Sequence, residues 1–305
     1  RGVTAQCRVL VLNDAFGALA ASLAPHVQVT SSGDSHLGFL ALRKNLARNG
    51  LDLGSVRFVP ASETAVGPFD HVLVKVPKTL ALLEEQLIRL HGQLAPGAQV
   101  VAAGMVKHLP RAAGDLLERY IGPMHASLAV KKARLLIAEA AERPQPRSPY
   151  PTRYHLEQPP LTLLNHANVF CREGLDIGTR AFLPHLPRSL GALRAADLGC
   201  GNGVLGIAYA LLNPQAELTL VDESYMAVQS ARENWQAALG ERPAGLHRHR
   251  ARGGVEHVGE PELVDLAVGG AHPHPRSLRP CVTRQKRGST RCGVAELGAG
   301  SRLLS

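Results

Sequence analysis

No stretch of this 305-residue sequence approaches the ~18 consecutive apolar residues that a membrane-spanning helix requires. Its first residues show no basic-then-apolar leader. The chain opens on Arg1 rather than Met, and a strand-like run follows almost at once, which predicts that the natural start lies upstream. Cysteine is scarce. Cys7, Cys171, Cys200, Cys281 and Cys292 are odd in number and scattered, which argues against a disulfide framework and for free thiols in a reducing cytoplasm. Neither they nor the histidines have ligand spacing, so no metal is expected. Acid is in short supply, and the net charge is +9. Ten Lys+Arg against five Asp+Glu between Gly245 and Ser305 supply more than half of that excess. The rest of the chain is only mildly basic, and charge alone does not establish a nucleic-acid partner.

What is present is an alternation of strand and helix patterns. Arg8 to Asn13 reads as a buried strand, followed by Asp14-Ala15-Phe16-Gly17 and a small-residue helix to about Leu23. Val27 to Ser31, Val56 to Val59, His71 to Val74 and Ala98 to Ala103 read as further strands, and Leu37 to Arg48 as a helix. Thr79 to Leu94 is the best-patterned helix of this half, with Leu80, Leu83, Leu87, Leu90 and Leu94 at i+3/i+4 spacing. Such alternation predicts an α/β fold with a parallel sheet and right-handed crossovers. Lys131, Lys132 and Arg134 interrupt the apolar run from Leu128 to Ala138. They read either as the solvated face of an edge strand or as an RNA-contacting patch. Six prolines between Arg143 and Pro160 mark an interdomain linker.

Ala195 to Asp222 carries the densest pattern. Ala196-Asp197-Leu198 ends an apolar run, Gly199-Cys200-Gly201-Asn202-Gly203 is a tight turn, Val204 to Leu212 is helical in spacing, and Leu218 to Val221 is a second strand closed by Asp222. The glycines permit φ > 0 and close approach of a ligand to backbone at a helix N-terminus. An acid closing the second strand suits a ribose diol. The spacing lacks the G-x-G-x-x-G of the dinucleotide fingerprint. Its D-x-G-x-G-x-G instead resembles the loop of Rossmann-like methyltransferases that bind S-adenosyl-L-methionine, where no pyrophosphate is cradled and an acid can sit near the sulfonium. Tyr225 to Leu239 follows as a helix, with Met226, Ala227, Ser230, Ala231 and Asn234 near the sheet.

The first half is a faint copy of this unit. Asn13-Asp14-Ala15-Phe16-Gly17 corresponds to Gly199–Gly203, and Gly33–Asn45 matches Val221–Trp235 with one residue inserted, pairing Asp34 with Asp222. Two of three glycines are gone, which predicts a duplicated domain whose first copy no longer holds cofactor.

Leu10–Leu19, Val74–Glu84, Asn165–Phe170, Gly174–Thr179 and Asp197–Gly203 together resemble the bacterial ribosomal RNA large-subunit methyltransferase G family, from about Arg8 to Trp235. That resemblance implies two fused Rossmann-like domains, the first degenerate, and methylation of a guanine N2 in large-subunit rRNA with S-adenosyl-L-methionine. It implies cofactor contacts at Asp197, Gly199, Cys200, Gly201, Asn202, Gly203 and Asp222. Asp176 and Thr179 join them, Asp176 either capping a helix or meeting the methionine end. RNA contacts fall to Lys131, Lys132 and Arg134. The expected organisation is a degenerate domain over 1–142, a linker over 143–160, a cofactor-binding part over 161–244 and an aberrant tail over 245–305, so that the second domain is incomplete.

The family's catalytic Asn-Pro-Pro-Phe follows the fourth strand of the second domain. Here Leu263–Val268 could be that strand, but Gly269-Gly270-Ala271-His272 stands after it, so no catalytic residue is named. No aromatic follows Trp235, and the tail shows neither strand nor helix period. This predicts a frame-shifted reading after about residue 245 and a chain inactive in methyl transfer. A non-catalytic RNA-binding protein on the same fold is the rival expectation.

Overall fold

The structure, a computed structural model, describes residues 7–240. The expectations for residues 245–305, including the strand at Leu263–Val268 and the missing catalytic motif, lie outside them.

In the first half, β1 (Arg8–Leu12), β2 (Gln28–Gly33), β3 (Val56–Pro60), β4 (Phe69–Lys75), β5 (Leu94–Met105), β6 (Met124–Ala126) and β7 (Ala133–Glu139) form one sheet in the order β3-β2-β1-β4-β5-β7-β6. The first five strands are parallel; helices join β1 to β2, β2 to β3 and β4 to β5, whereas β3 and β4 are joined by a loop. β7 enters antiparallel to β5, and β6 pairs antiparallel outside it. The sheet is therefore mixed rather than parallel. The strand expected over Leu128–Ala138 begins only at Ala133 and lies inside the sheet, with β6 at the edge.

Helices α1 (Ala18–Leu23) and α2 (His36–Arg48) cover one face of the sheet, with Val9, Val11, Val29, Leu42 and Leu46 buried between. α3 (Leu80–Arg89) and α4 (Arg111–Tyr120) cover the other, over Leu10, Leu12, Val72, Val74 and Val100. Buried residues from both faces along β1 explain its unbroken apolar run. α3 is shorter than its leucine spacing suggested. Gly92, at φ 71°, turns the chain, and Leu94 opens β5 instead of closing the helix.

The proline-rich span is not linker throughout. β8 (Thr152–Leu156) pairs antiparallel with β9 (Leu161–Asn165), making a hairpin whose turn holds Pro159 and Pro160. Upstream of it, Ser148 Oγ donates to Glu85, and Tyr150 Oη donates to Glu84 at 2.9 Å, so the span is docked on α3. α5 (Ile177–Phe182) follows. β10 (Arg194–Leu198), α6 (Val204–Leu212), β11 (Glu217–Val221) and α7 (Tyr225–Leu239) then form the strand–turn–helix–strand–helix unit read from the sequence. β10 and β11 pair in parallel in a sheet of their own, separate from that of β1, as a duplicated domain demands. The hairpin, α6, β11 and α7 share a core of Leu161, Leu163, Ile207, Leu218, Leu220 and Trp235. A small cluster of Ala61, Ala81, Leu82, Ala167 and Met226 seals the two halves together. Among the described residues, no helix is long and apolar enough to cross a membrane.

Candidate functional site

The turn after β10 has the backbone its glycines permit. Gly199, Gly201 and Gly203 sit at φ 74°, 54° and 84°. Gly203 is the left-handed N-cap of α6. A Cβ there would lie 3.1 Å from Ala231 Cβ on α7, whereas at Gly199 and Gly201 it would meet open space. Gly203 is thus needed for helix packing, and the other two keep the turn open to a ligand.

Beside the turn is a cavity of about 380 Å³. It is lined by eight of the nine residues singled out in the sequence, Asp176, Thr179, Asp197, Gly199, Cys200, Gly201, Asn202 and Asp222. Gly203 does not line it and packs instead against Ala231 and Leu220. Asp222 Oδ2 accepts from Gly201 N at 3.0 Å and Oδ1 from Ser224 N at 2.9 Å, joining the strand end to the turn and to the start of α7. Asp197 Oδ2 accepts from Gly206 N at 3.0 Å, inside the first turns of α6. Burial pushes the Asp197 carboxyl above the usual range, the nearby Asp222 charge adds to the rise, and the Gly206 N–H opposes it. Burial also raises the Cys200 thiol, with Asp197 and Asp222 adding to it. That environment disfavours the thiolate form a nucleophile needs. Asp176 caps α5, accepting from Gly178 N and Thr179 N at 2.9 and 3.1 Å, while its carboxyl also faces the cavity. The side-chain hydrogen bond from Thr179 holds the Asp176 carboxyl below its ordinary range. Capping and contact with a ligand are therefore compatible at this residue.

Asn202 is held from the other side. Its Nδ2 donates to Tyr154 Oη at 3.0 Å and Asn165 Oδ1 at 2.8 Å, and its Oδ1 accepts from Val204 N at 3.2 Å. The hairpin that the prolines disguised thus buttresses the turn. Tyr154, Asn168, Phe170, Cys171, Glu223 and Ser224 also line the cavity and were not singled out from the sequence. Alternation in Thr152–Leu156 and Leu161–Asn165 around a turn was the available signal for Tyr154.

The first copy preserves the turn with only the last of its three glycines. Asn13, Ala15 and Gly17 have φ 62°, 53° and 77°, and Gly17 is the left-handed N-cap of α1. The Asn13 side chain exchanges two hydrogen bonds with Gln86, at 2.8 and 2.9 Å. A second cavity, of about 250 Å³, lies beside this turn, walled by Phe39, Leu42 and Phe58 and closed by Asn168, Glu223 and Ser224 from the other domain.

The acid pairing requires correction. Leu12 faces Ser32 in one sheet and Leu198 faces Val221 in the other, while Ser35 and Ser224 are the N-caps of α2 and α7. Gly33 therefore matches Asp222, and Asp34 matches Glu223. Asp34 turns away from its own turn into the second domain. It accepts from Ser224 Oγ at 2.6 Å, Met226 N at 2.8 Å and Asn168 Nδ2 at 2.7 Å. Reciprocally, Ser35 Oγ donates to Glu223 Oε2 at 2.6 Å, and His36 N donates to Glu223 O at 2.9 Å. Each serine also accepts from its own helix, Gly38 N and Ala227 N, both at 3.0 Å. Ser35 and Ser224 face one another in an antiparallel bridge at the centre.

Lys131 and Lys132 are exposed in the left-handed turn before β7, at φ 47° and 64°, and Val106 N donates to Lys132 O at 2.8 Å. Arg134 is half-buried on β7, its Nε without a hydrogen-bond partner. The structure brings these three together at the end of β5, and none of them lines the cavity beside Gly199–Gly203.

Two family models match the chain, an RLMG N-terminal domain over residues 2–142 and a methyltransferase small domain over 160–253. A ribosomal RNA large subunit methyltransferase G of Pseudomonas aeruginosa (strain UCBPP-PA14) is 99% identical over 244 residues, covering 80% of this chain and 65% of that protein. The protein of the same name from Pseudomonas putida (strain F1) is 75% identical over 252 residues, covering 83% of this chain and 67% of the relative. The chain thus spans about two thirds of the length of the curated relatives it matches. Among solved structures, a T. thermophilus 16S rRNA N2 methyltransferase in complex with AdoMet and guanosine aligns with TM-score 0.59 and 21% identity. That alignment covers 77% of this chain and 65% of that one, and it is a likeness of fold. With the duplicated α/β architecture, these matches place the chain in the ribosomal RNA large subunit methyltransferase G family.

Proposed function

We propose that this chain carries the cofactor-binding and RNA-docking parts of an S-adenosyl-L-methionine-dependent rRNA (guanine-N2) methyltransferase of the cytoplasm, acting on large-subunit rRNA. The observation that carries the reading is the larger cavity, where residues chosen for their cofactor spacing converge from β10, its turn, β11 and the α5 cap. The donor set fits the cofactor. Each Asp222 oxygen has one backbone N–H and retains a lone pair, which suits a vicinal diol. Gly199 and Gly201 leave room for a ligand against the backbone. Asp197, raised by burial and by the charge of Asp222, gains from a cation beside it. When bound, the cofactor supplies an electrophilic methyl group. The residues of this chain bind and orient it: Asp222 at the ribose, the turn along its length, and Asp176 and Thr179 at the methionine end.

The substrate class rests on the name of the near-identical relatives. RNA docking is assigned to Lys131 and Lys132 on their exposed turn and to Arg134 beside them. No catalytic residue is assigned. The sequence carries Gly269–His272 where the family motif is expected, and near-identity with the P. aeruginosa relative extends over 244 residues. Both support a frame-shifted reading from about residue 245 and a chain that binds cofactor without transferring methyl. The coding DNA tests this directly: an Asn-Pro-Pro-Phe in another frame supports it, and methyl transfer to unmodified large-subunit rRNA by this chain refutes it. For the cofactor site, calorimetric titration of S-adenosyl-L-methionine should show Asp222→Ala losing roughly 1.5–3 kcal/mol, the scale of a hydrogen bond to a charged acceptor. Unchanged affinity would remove Asp222 from the site.

A further inference from the structure

We infer that Asp34, in the degenerate domain, is a positioning residue for the cofactor site of the other domain. The inference rests on the cofactor reading of the larger cavity. Asp34 lines the smaller cavity but not the larger one, so it acts through other residues. Two of its three donors, Ser224 Oγ and Met226 N, belong to the first residues of α7. The third, Asn168 Nδ2, is on a residue that lines both cavities and forms part of the wall between them. Ser224 in turn holds Asp222 through its backbone N–H, and Asp222 holds the turn through Gly201 N. The series of bonds runs Asp34, Ser224, Asp222, Gly201. The Ser35–Glu223 hydrogen bond pins the same segment from its other side.

A buried carboxylate with three donors is a stiff anchor, because losing any bond strands a polar group away from water. Its effect is to fix where the Asp222 oxygens point. The first domain has thus lost the acid that would serve a ligand of its own, and its neighbouring acid orients the acid of the second domain.

The test compares S-adenosylhomocysteine with its 2′,3′-dideoxy analogue, by calorimetry on the full chain and on Asp34→Asn. An asparagine has no charge and one acceptor oxygen where the carboxylate has two, so either Met226 N loses its acceptor or Ser224 and Asn168 must turn from donors into acceptors. The ratio of the two affinities measures how well Asp222 meets the diol. Asp34→Asn should lower that ratio about fivefold to tenfold, the worth of one hydrogen bond, while affinity for the dideoxy analogue stays within about twofold. An unchanged ratio, or equal losses for both ligands, overturns the inference and leaves the cofactor reading intact. A wild-type chain without preference for the diol overturns the ribose assignment of Asp222 and the role of Asp34 together. Thermal melting and the emission of Trp235 on α7 report whether the variant folds. Should it not, Asp34→Ser, which keeps an uncharged acceptor at a position outside the larger cavity, is measured in the same way, and a ratio lowered about twofold to tenfold supports the inference while an unchanged one overturns it.

Discussion

Ala15→Gly should stabilise the protein, although it removes a side chain and adds none. Ala15 sits at φ 53°, in the left-handed region, and its methyl group is exposed. An L-residue with a Cβ costs roughly 1–2 kcal/mol there. Glycine removes that strain but frees the unfolded chain by about 0.4–1 kcal/mol. Little burial is lost, so the net gain is about 0.5–1 kcal/mol. In a folded unit of this size that raises the melting temperature by roughly 1–4 °C. Gly201→Ala is the mirror experiment, because Gly201 has φ 54° and open space for a Cβ. It should cost a similar amount. Equilibrium urea denaturation followed by far-UV circular dichroism, with unchanged m-values, measures both. If Ala15→Gly is destabilising, or if both variants are neutral, the two turns do not share a strained backbone and their equivalence fails as an energetic statement.

Gly203→Ala combines left-handed strain with a Cβ 3.1 Å from Ala231, and should cost about 2–4 kcal/mol by the same denaturation. Asp176→Ala should cost about 0.5 kcal/mol at neutral pH, the low end of an N-cap effect for a group still screened by solvent. Because the folded carboxyl lies below its ordinary value, that contribution is present above the unfolded pKa and lost as pH falls through the folded one, so the two melting curves should converge in acid. A gap that widens in acid would contradict the sign. Neutralising Lys131 and Lys132 should reduce the log–log salt dependence of RNA affinity by about 0.7 for each phosphate they neutralise, and an unchanged slope would return both to ordinary surface charge.

The unit from β10 to α7 was legible because each signal there is local. Glycines mark the turn, apolar spacing marks α6, and the helix read from Tyr225 to Leu239 is α7. The hairpin of β8 and β9 was not, because six prolines in eighteen residues outweigh a short alternation, and the contact that makes it matter, Tyr154 to Asn202, spans 48 positions. The reversed direction of β7 was equally hidden, since strand direction is set by sheet partners and not by residues along the strand. The pairing of Asp34 with Asp222 failed by one position for a related reason. Matching acid to acid follows chemical likeness, whereas the sheet register and the serine caps fix the true equivalence.

The exchange of serine and acid between the two domains bears on how a duplicated binding site is lost. A lost glycine alone could revert. Here the ligand-facing end of the first domain has become the joint itself: Gly33 stands where an acid is needed, Asn13 is tied to Gln86, and Asn168, Glu223 and Ser224 close its cavity. Restoring the site would require several simultaneous changes, and one of them, clearing Asn168, Glu223 and Ser224 from the cavity, would break hydrogen bonds of the seam between the halves. Under the proposed reading, loss of the first site acts as a ratchet, turning a redundant copy into an obligatory part.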